Sequence, residues 1–285
     1  MSEHQPALAA NPAEWPKAIL AVAILFSVFQ IVTAAFHPVS TQVLRTFHVG
    51  FLLLMVFLAY PTIGRGAPWR PMAWLLGLAG MVTAAYQWWF EADLIQRSGE
   101  LTDADMVVGL LVLALVFEAA RRVMGIALPL ICGLFLAYAL FGEYLPGDWA
   151  HRGYGVDQVV NQLSFGTEGL YGTPTYVSAT YIFLFILFGA FLEQAGMIRL
   201  FTDFAMGYFG HKVGGPAKVS VVSSALMGTI TGSGVANVVT TGQFTIPLMK
   251  RFGYRPAFAG GVEATSSMGS QLMPPVMGAV AFIMA

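Results

Sequence analysis

Two short stretches hold the side chains and backbone groups with chemistry to offer. Gly228 to Thr241 reads G-T-I-T-G-S-G-V-A-N-V-V-T-T, and Gly269 to Gly278 reads G-S-Q-L-M-P-P-V-M-G. Both are small, broken by glycine or proline, and flanked by apolar arms. In the first, a helix that ends near Ile230, Thr231 and Gly232 leaves carbonyls without partners at the negative end of its dipole. A second helix that begins near Gly234 and Val235 leaves N–H groups free at the positive end of its own. Carbonyl and hydroxyl oxygens suit a hard monovalent cation, and the N–H groups suit a carboxylate. Ser233 and Asn237 add further oxygens, Asn237 one turn into the second arm. In the second stretch Pro274 and Pro275 cannot donate to the preceding turn, which frees carbonyls from Gln271 to Pro275. Small residues also let helices pack closely. Tip and break occurring together favour a site.

Glu263 is the one acidic residue well inside the last element, roughly 10 Å beyond Pro256 at helical rise. Intramembrane carboxylates are costly and often functional. The sequence leaves it open whether Glu263 takes a proton or cation, or pairs with Arg255 or Arg251. No other chemistry stands out. Cys132 is the single cysteine, and the five histidines never fall at metal-ligand spacing, so no metal centre or cofactor is expected beyond a coupling ion. No Ser/Lys, Ser/His or paired-Asp set falls on facing spans, and G-S-G has no general base nearby, so an enzyme is not expected. The basic residues are dispersed between hydrophobic stretches, unlike those of a nucleic-acid binder.

The elements that hold these stretches are membrane spans. Of the 285 residues 57% are hydrophobic and only 10% charged, where a soluble domain carries about 25% charged. An all-α integral membrane protein is the class that fits. Residues 1–16 read as a polar cytoplasmic tail. Six spans are expected, at 18–36, 47–64, 71–90, 103–120, 123–142 and 169–192. The first lacks a basic leader and is too long for a signal-peptide core, so it is taken as uncleaved. Glu118 is spaced to pair with Arg121 and Arg122 at the end of the fourth. Residues 143–168 read as a polar loop. Residues 197–209 carry apolar side chains at helical spacing, with Arg199 and Asp203 on another side, and read as a helix lying in the interface.

Positive charge sets the topology. With the N-terminus cytoplasmic, eleven of the fourteen Lys and Arg residues fall on the cytoplasmic side, and loops 91–105 and 143–168, which are acidic, fall outside. Lys218 and Lys250 then lie on the same side. Two crossings would need about 40 residues, more than the chain has between them. Arms 217–231 and 235–249 are each roughly 22 Å long as helices, enough to pass the midplane of a bilayer but not to span it. The segment is therefore expected as a re-entrant hairpin with T-G-S-G at its tip, in preference to one kinked, tilted helix. Residues 258–268 make a half-helix, 269–278 the break, and 279–285 the start of a second half. The chain stops within that element, and the expectation is a fragment of a longer polypeptide.

The string G-T-I-T-G-S-G-V-A-N-V-V-T-T-G-Q-F-T-I-P-L-M-K-R-F-G-Y, followed by E-A-T-S-S-M-G-S-Q-L-M-P-P-V-M-G-A-V-A-F-I-M-A, closely resembles the membrane permease of TRAP transporters, most of all the fused type that works with a TAXI-class binding protein. The resemblance extends to G-A-F-L-E-Q-A-G at 189–196, F-G-H-K-V-G-G-P-A-K at 209–218 and H-R-G-Y at 151–154, and is continuous from Glu118. Earlier spans match the small-subunit portion in count and placement. The resemblance implies an elevator-type secondary transporter of the bacterial or archaeal cytoplasmic membrane. It implies import of organic acids, driven by a sodium or proton gradient and fed by an extracytoplasmic solute-binding protein. Residues 17–121 would be the small-subunit-like region. Residues 122–285, with hairpin 216–249, would begin the large transporting part, whose remainder is a further partner. Carried over to matching positions, the cation site is Thr231, Gly232, Ser233, Asn237, Ser270, Gln271, Met273 and Pro274, with Pro275 beside it. Ser233, Gly234, Val235 and Asn237 would meet the substrate. Where relatives often have G-S-S-V-A-N this tip has G-S-G-V-A-N, and where G-G-Q-I-M-P-P is common the break has G-S-Q-L-M-P-P. The rival reading is a membrane scaffold whose breaks serve packing alone.

Overall fold

The computed structural model describes residues 17–60, 70–97 and 99–284. The expected tail at 1–16 and the end of the second span, with Arg65, lie outside the described residues. Every element among them is helical. The chain divides between Tyr176 and Val177 into two compact units.

The first unit holds α1 (Lys17–Phe36), α2 (Thr41–Ala59), α3 (Arg70–Trp89), α4 (Glu91–Gln96), α5 (Asp103–Met124), α6 (Ala127–Phe141) and α7 (Val156–Ser164). Helix α2 starts six residues ahead of the expected Phe47. Ser40 caps it, its Oγ accepting from the Val43 N–H at 3.2 Å; of the polar residues in the first turns Thr46 and His48 are buried and Gln42 and Arg45 half-buried. Helix α5 opens on a capping box in which Thr102 and Asp105 satisfy each other's backbone N–H groups. It runs through the charged turn expected to end it: Glu118 accepts from Arg121 and Arg122 at 2.8 Å each. Arg122 also donates to the Tyr60 carbonyl and lies 4.6 Å over the Phe57 ring. Gly125, at φ +81°, then turns the chain, so α6 begins four residues later than expected. The expected loop 143–168 contains α7, whose Val160 is buried and whose Ser164 Oγ donates to the Gly109 carbonyl at 2.9 Å. The core packs Val49, Leu53 and Phe57 of α2 against Val112, Leu115 and Ala119 of α5, with Tyr171.

α8 (Thr173–Val177) is followed by a wide π-type turn at Ser178–Ile182 and α9 (Phe183–Gln194). There follow α10 (Met197–Phe209), α11 (Gly215–Thr231), α12 (Gly234–Arg251), α13 (Pro256–Met268) and α14 (Ala279–Met284). Pro216 and Pro256 stand in the first turns of α11 and α13, where a missing N–H costs nothing. Helix α10 leaves Leu200, Phe204 and Tyr208 exposed, and its Arg199 and Asp203 pair weakly at 3.9 Å. Among the described residues four helical stretches are long and apolar enough to cross a membrane: Lys17–Phe36, Thr41–Ala59, Ala127–Tyr144 and Thr173–Gln194.

Candidate functional site

Helix α11 stops at Gly232, which takes the left-handed backbone (φ +58°) and returns its N–H to the Gly228 carbonyl at 3.2 Å. Ser233 is extended and caps α12, its Oγ accepting from the Ala236 N–H at 3.3 Å. Two residues thus separate the arms. Helix α12 then runs back along α11, so that Ser224 and Thr241, equally far from the tip, meet with their hydroxyls 3.2 Å apart. The residues expected to form arms at 217–231 and 235–249 do form two helices, with Gly232 and Ser233 of T-G-S-G between them.

The second stretch lies against this tip. After α13 the chain makes a single tight turn over Gly269–Gln271 and an irregular loop closed by the Gly278 N–H on the Gln271 carbonyl at 2.8 Å. A methyl group at Gly228 would come within 2.6 Å of the Ser270 Cα, and one at Gly232 within 1.9 Å of the Met277 carbonyl oxygen. Beside Gly234 lie the Ser267 carbonyl, the Met268 sulfur and Gln271 Nε2. Residues forty positions apart therefore form one surface, and glycine is what allows the approach. Helix α9 adds a third side, with Gly189 against the Ile230 carbonyl. Phe282 of α14 stacks on Tyr181 and Phe185.

Within that surface the expected residues differ in access. Asn237 and Ser270 are fully buried, Gly232 and Gly234 are buried, Thr231, Ser233 and Met273 are half-buried, and Gln271, Pro274 and Pro275 are exposed. Val235 is 76% exposed, so it offers its backbone rather than a packed side chain. Asn237 Nδ2 donates to the Ser224 carbonyl at 2.7 Å, and Ser270 Oγ to that of Ser267 at 2.7 Å. The N–H groups of Gly234 and Val235 open α12 and have no intrahelical partner.

Glu263 is fully buried one helix layer deeper, and it pairs with hydroxyls. Ser220 and Thr245 donate to its Oε2 at 2.6 and 2.5 Å. Ser224 and Ser267 donate to its Oε1 at 3.1 Å each, and Thr241 donates to the same oxygen. Among the described residues no Arg or Lys forms an ion pair with it, and no group of His, Cys, Asp and Glu is arranged to hold a metal. The five hydroxyls were not singled out by sequence reasoning. Their signal is a spacing: Ser220 and Ser224, Thr241 and Thr245, Glu263 and Ser267 each stand four apart, one stripe on each of three successive helices.

An all-helical, multi-pass integral membrane protein in which a two-residue helix break packs against a second break is the class these features define. Residues 111–285, well over half of the chain, match the family model described as the DctM component of the tripartite ATP-independent periplasmic transporter, and the chain belongs to that family. It is 34% identical over 106 residues to the C4-dicarboxylate TRAP transporter large permease protein DctM of Pseudomonas aeruginosa, covering 37% of this chain and 25% of that protein. It is 26% identical over 187 residues to the sialic acid TRAP transporter permease protein SiaT of Haemophilus influenzae, covering 66% of this chain and 27% of that one. The large permease protein SiaM of Vibrio cholerae is 28% identical over 113 residues, 40% of this chain and 26% of its own. The chain thus spans about a quarter of the length of these relatives. No solved structure matches it.

Proposed function

We propose that this chain is part of the membrane component of a cation-gradient-driven secondary transporter that imports organic acids delivered by an extracytoplasmic solute-binding protein. The observation that carries the reading is the contact between the tip of the α11–α12 hairpin and the 269–278 loop. Together they gather the helix-end dipoles, hydroxyls and amide that a cation and a carboxylate require. In this reading Na⁺ is the coupled substrate, with H⁺ as the alternative coupling ion. It is held by oxygens of Thr231, Gly232, Ser233, Asn237, Ser270, Gln271, Met273 and Pro274. The organic acid meets Ser233, Asn237 and the N–H groups of Gly234 and Val235. Relatives named for C4-dicarboxylates, sialic acid and 2,3-diketo-L-gulonate handle carboxylic acids, which supports a carboxylate at those N–H groups.

The hairpin is re-entrant in this reading, its tip inside the bilayer and both outer ends cytoplasmic. Six spans cross the bacterial or archaeal cytoplasmic membrane with the N-terminus inside. Residues 17–121 act as the small-subunit-like region. Residues 122–285 are the N-terminal part of the large transporting region of a fused, TAXI-type permease. The test is made in the full-length permease with single cysteines at Ser233 and Gln271. Both are expected to react with small aqueous thiol reagents and to be protected by Na⁺ but not by K⁺. Residues inaccessible under both conditions would leave a packing scaffold as the better description.

A further inference from the structure

This inference rests on the ion-site reading above and concerns what keeps its ligand available. The Asn237 side chain is fixed by the bond from Nδ2 to the Ser224 carbonyl, which turns Oδ1 towards Thr241. Thr241 Oγ1 has one proton to give, and acceptors compete for it. The Asn237 carbonyl lies at 2.8 Å, Asn237 Oδ1 at 3.2 Å, Ser224 Oγ at 3.2 Å, and Glu263 Oε1 is bonded to the same hydroxyl. A proton given to Glu263 is not given to Asn237. Oδ1 then keeps both lone pairs for a cation; if it accepts from Thr241, one lone pair faces a hydroxyl hydrogen that would repel the ion.

We propose that Glu263 is a positioning residue for the coupling ion: it draws the Thr241 hydroxyl proton away from Asn237 and so holds the amide oxygen free as a ligand. Carboxylate oxygens accept hydrogen bonds more strongly than amide or hydroxyl oxygens, which decides the competition. The other four hydroxyls serve the same end by holding the carboxylate in place. Ser220 and Thr245 occupy Oε2, while Ser224 and Ser267 approach Oε1 beside Thr241. Because the donors come from α11, α12 and α13, the carboxylate also ties the hairpin to the helix that leads into the second break. Glu263 itself touches neither ion nor substrate.

The experiment measures Na⁺-dependent thermal stabilisation of the full-length permease in detergent, with K⁺ making up constant ionic strength. Glu263→Gln offers Thr241 only an amide oxygen. It is expected to raise half-saturating Na⁺ about tenfold, the equivalent of one well-made hydrogen bond. Thr241→Val removes the competing proton and is expected to change the value by about threefold or less, and Thr241→Ser to leave it unchanged. The double variant Glu263→Gln/Thr241→Val should return to the value of Thr241→Val alone, because no proton is left to misdirect. A purely structural role would lower the melting temperature without Na⁺ and leave half-saturation unmoved. Multiplicative losses in the double variant, or a wild-type value in Glu263→Gln, would overturn the proposal. If Glu263→Gln does not fold, Glu263→Asp replaces it. Its shorter arm withdraws the acceptor from Thr241, so it too must raise half-saturation and be reversed by Thr241→Val. A wild-type permease that Na⁺ does not stabilise more than K⁺ would instead remove the ion-site reading, and this inference with it.

Discussion

Between α2 and α5 the side chains that meet are Val49, Leu53, Phe57, Val112, Leu115 and Ala119. In α11, α12 and α13 the buried set includes Ser220, Ser224, Asn237, Thr241, Thr245, Glu263 and Ser267, beside apolar side chains such as Val219, Met227 and Met249. The first unit is filled and the second is tied. Apolar side chains gain little by leaving lipid for a protein interior of similar polarity, so the first packing is held by close van der Waals fit. Directional bonds hold the second, and they specify register as well as proximity, because each hydroxyl must reach one of two carboxylate oxygens. The first unit also buries polar groups, but at scattered places rather than around one acceptor: Gln30 meets His48 between α1 and α2, Gln87 the Ser164 carbonyl and Tyr171, and Asp105 meets Thr102, Tyr86 and Arg97. A filled core tolerates small slips, whereas a tied one does not. The tied one sits beside the two breaks.

The sharpest way to break this contrast is to remove the knot. Glu263→Leu removes the common acceptor of five hydroxyls; Thr241 and Thr245 can turn to the Asn237 and Thr241 carbonyls, but Ser220, Ser224 and Ser267 lose theirs, and buried donors left unsatisfied cost about 1–3 kcal/mol each. The expected result is a loss on the order of 5 kcal/mol, read as little folded protein in a detergent melt. Phe57→Ala attacks the filled core instead. It should cost about 3 kcal/mol, with the Arg122 stacking lost as well. Uptake per folded molecule is expected to survive Phe57→Ala, and a loss of uptake larger than the loss of folded protein would erase the distinction.

Gly228→Ala sharpens the comparison further. Its methyl would meet backbone, the Ser270 Cα at 2.6 Å, at a cost of about 1–3 kcal/mol. Because it pushes the tip and the second break apart, Na⁺ dependence should suffer more than the melting temperature does. Gly77→Ala in the first unit is the control, since its nearest neighbour is the end of the Leu54 side chain at 2.5 Å; it should change stability alone. The smallest expected effect on stability is that of Asn237→Ala, about 1 kcal/mol for a hydrogen bond to the Ser224 carbonyl. Membrane insertion should be unchanged while cation-dependent uptake falls, and unaltered Na⁺ dependence would take Asn237 off the ligand set.

The break between α11 and α12 was legible for a reason that acts locally: a small, glycine-broken stretch separates two apolar runs, and the helices end there. Helix α10 was legible at its stated bounds because apolar side chains recur there at helical spacing. Helix α2 was placed late because Gln42, Arg45 and Thr46 look like a polar loop until it is known that Thr46 is buried and the other two half-buried. Helix α7 was passed over for the same cause, being polar on one face within a Gly- and Asp-rich stretch. The environment of Glu263 was not legible. The sequence left open a proton or cation role or a pairing with Arg251 or Arg255, and said nothing of hydroxyls. Four of the five partners come from two other helices and the fifth, Ser267, from its own, through hydroxyls that each look unremarkable alone.

One last consequence belongs to Gly232, whose absent methyl would sit 1.9 Å from the Met277 carbonyl oxygen. The two loops claim a single volume that neither can enlarge by itself. Over evolutionary drift, a gain of bulk at 232 would have to be answered by a retreat around 276–277, so among natural variants these positions should change in step or stay fixed together.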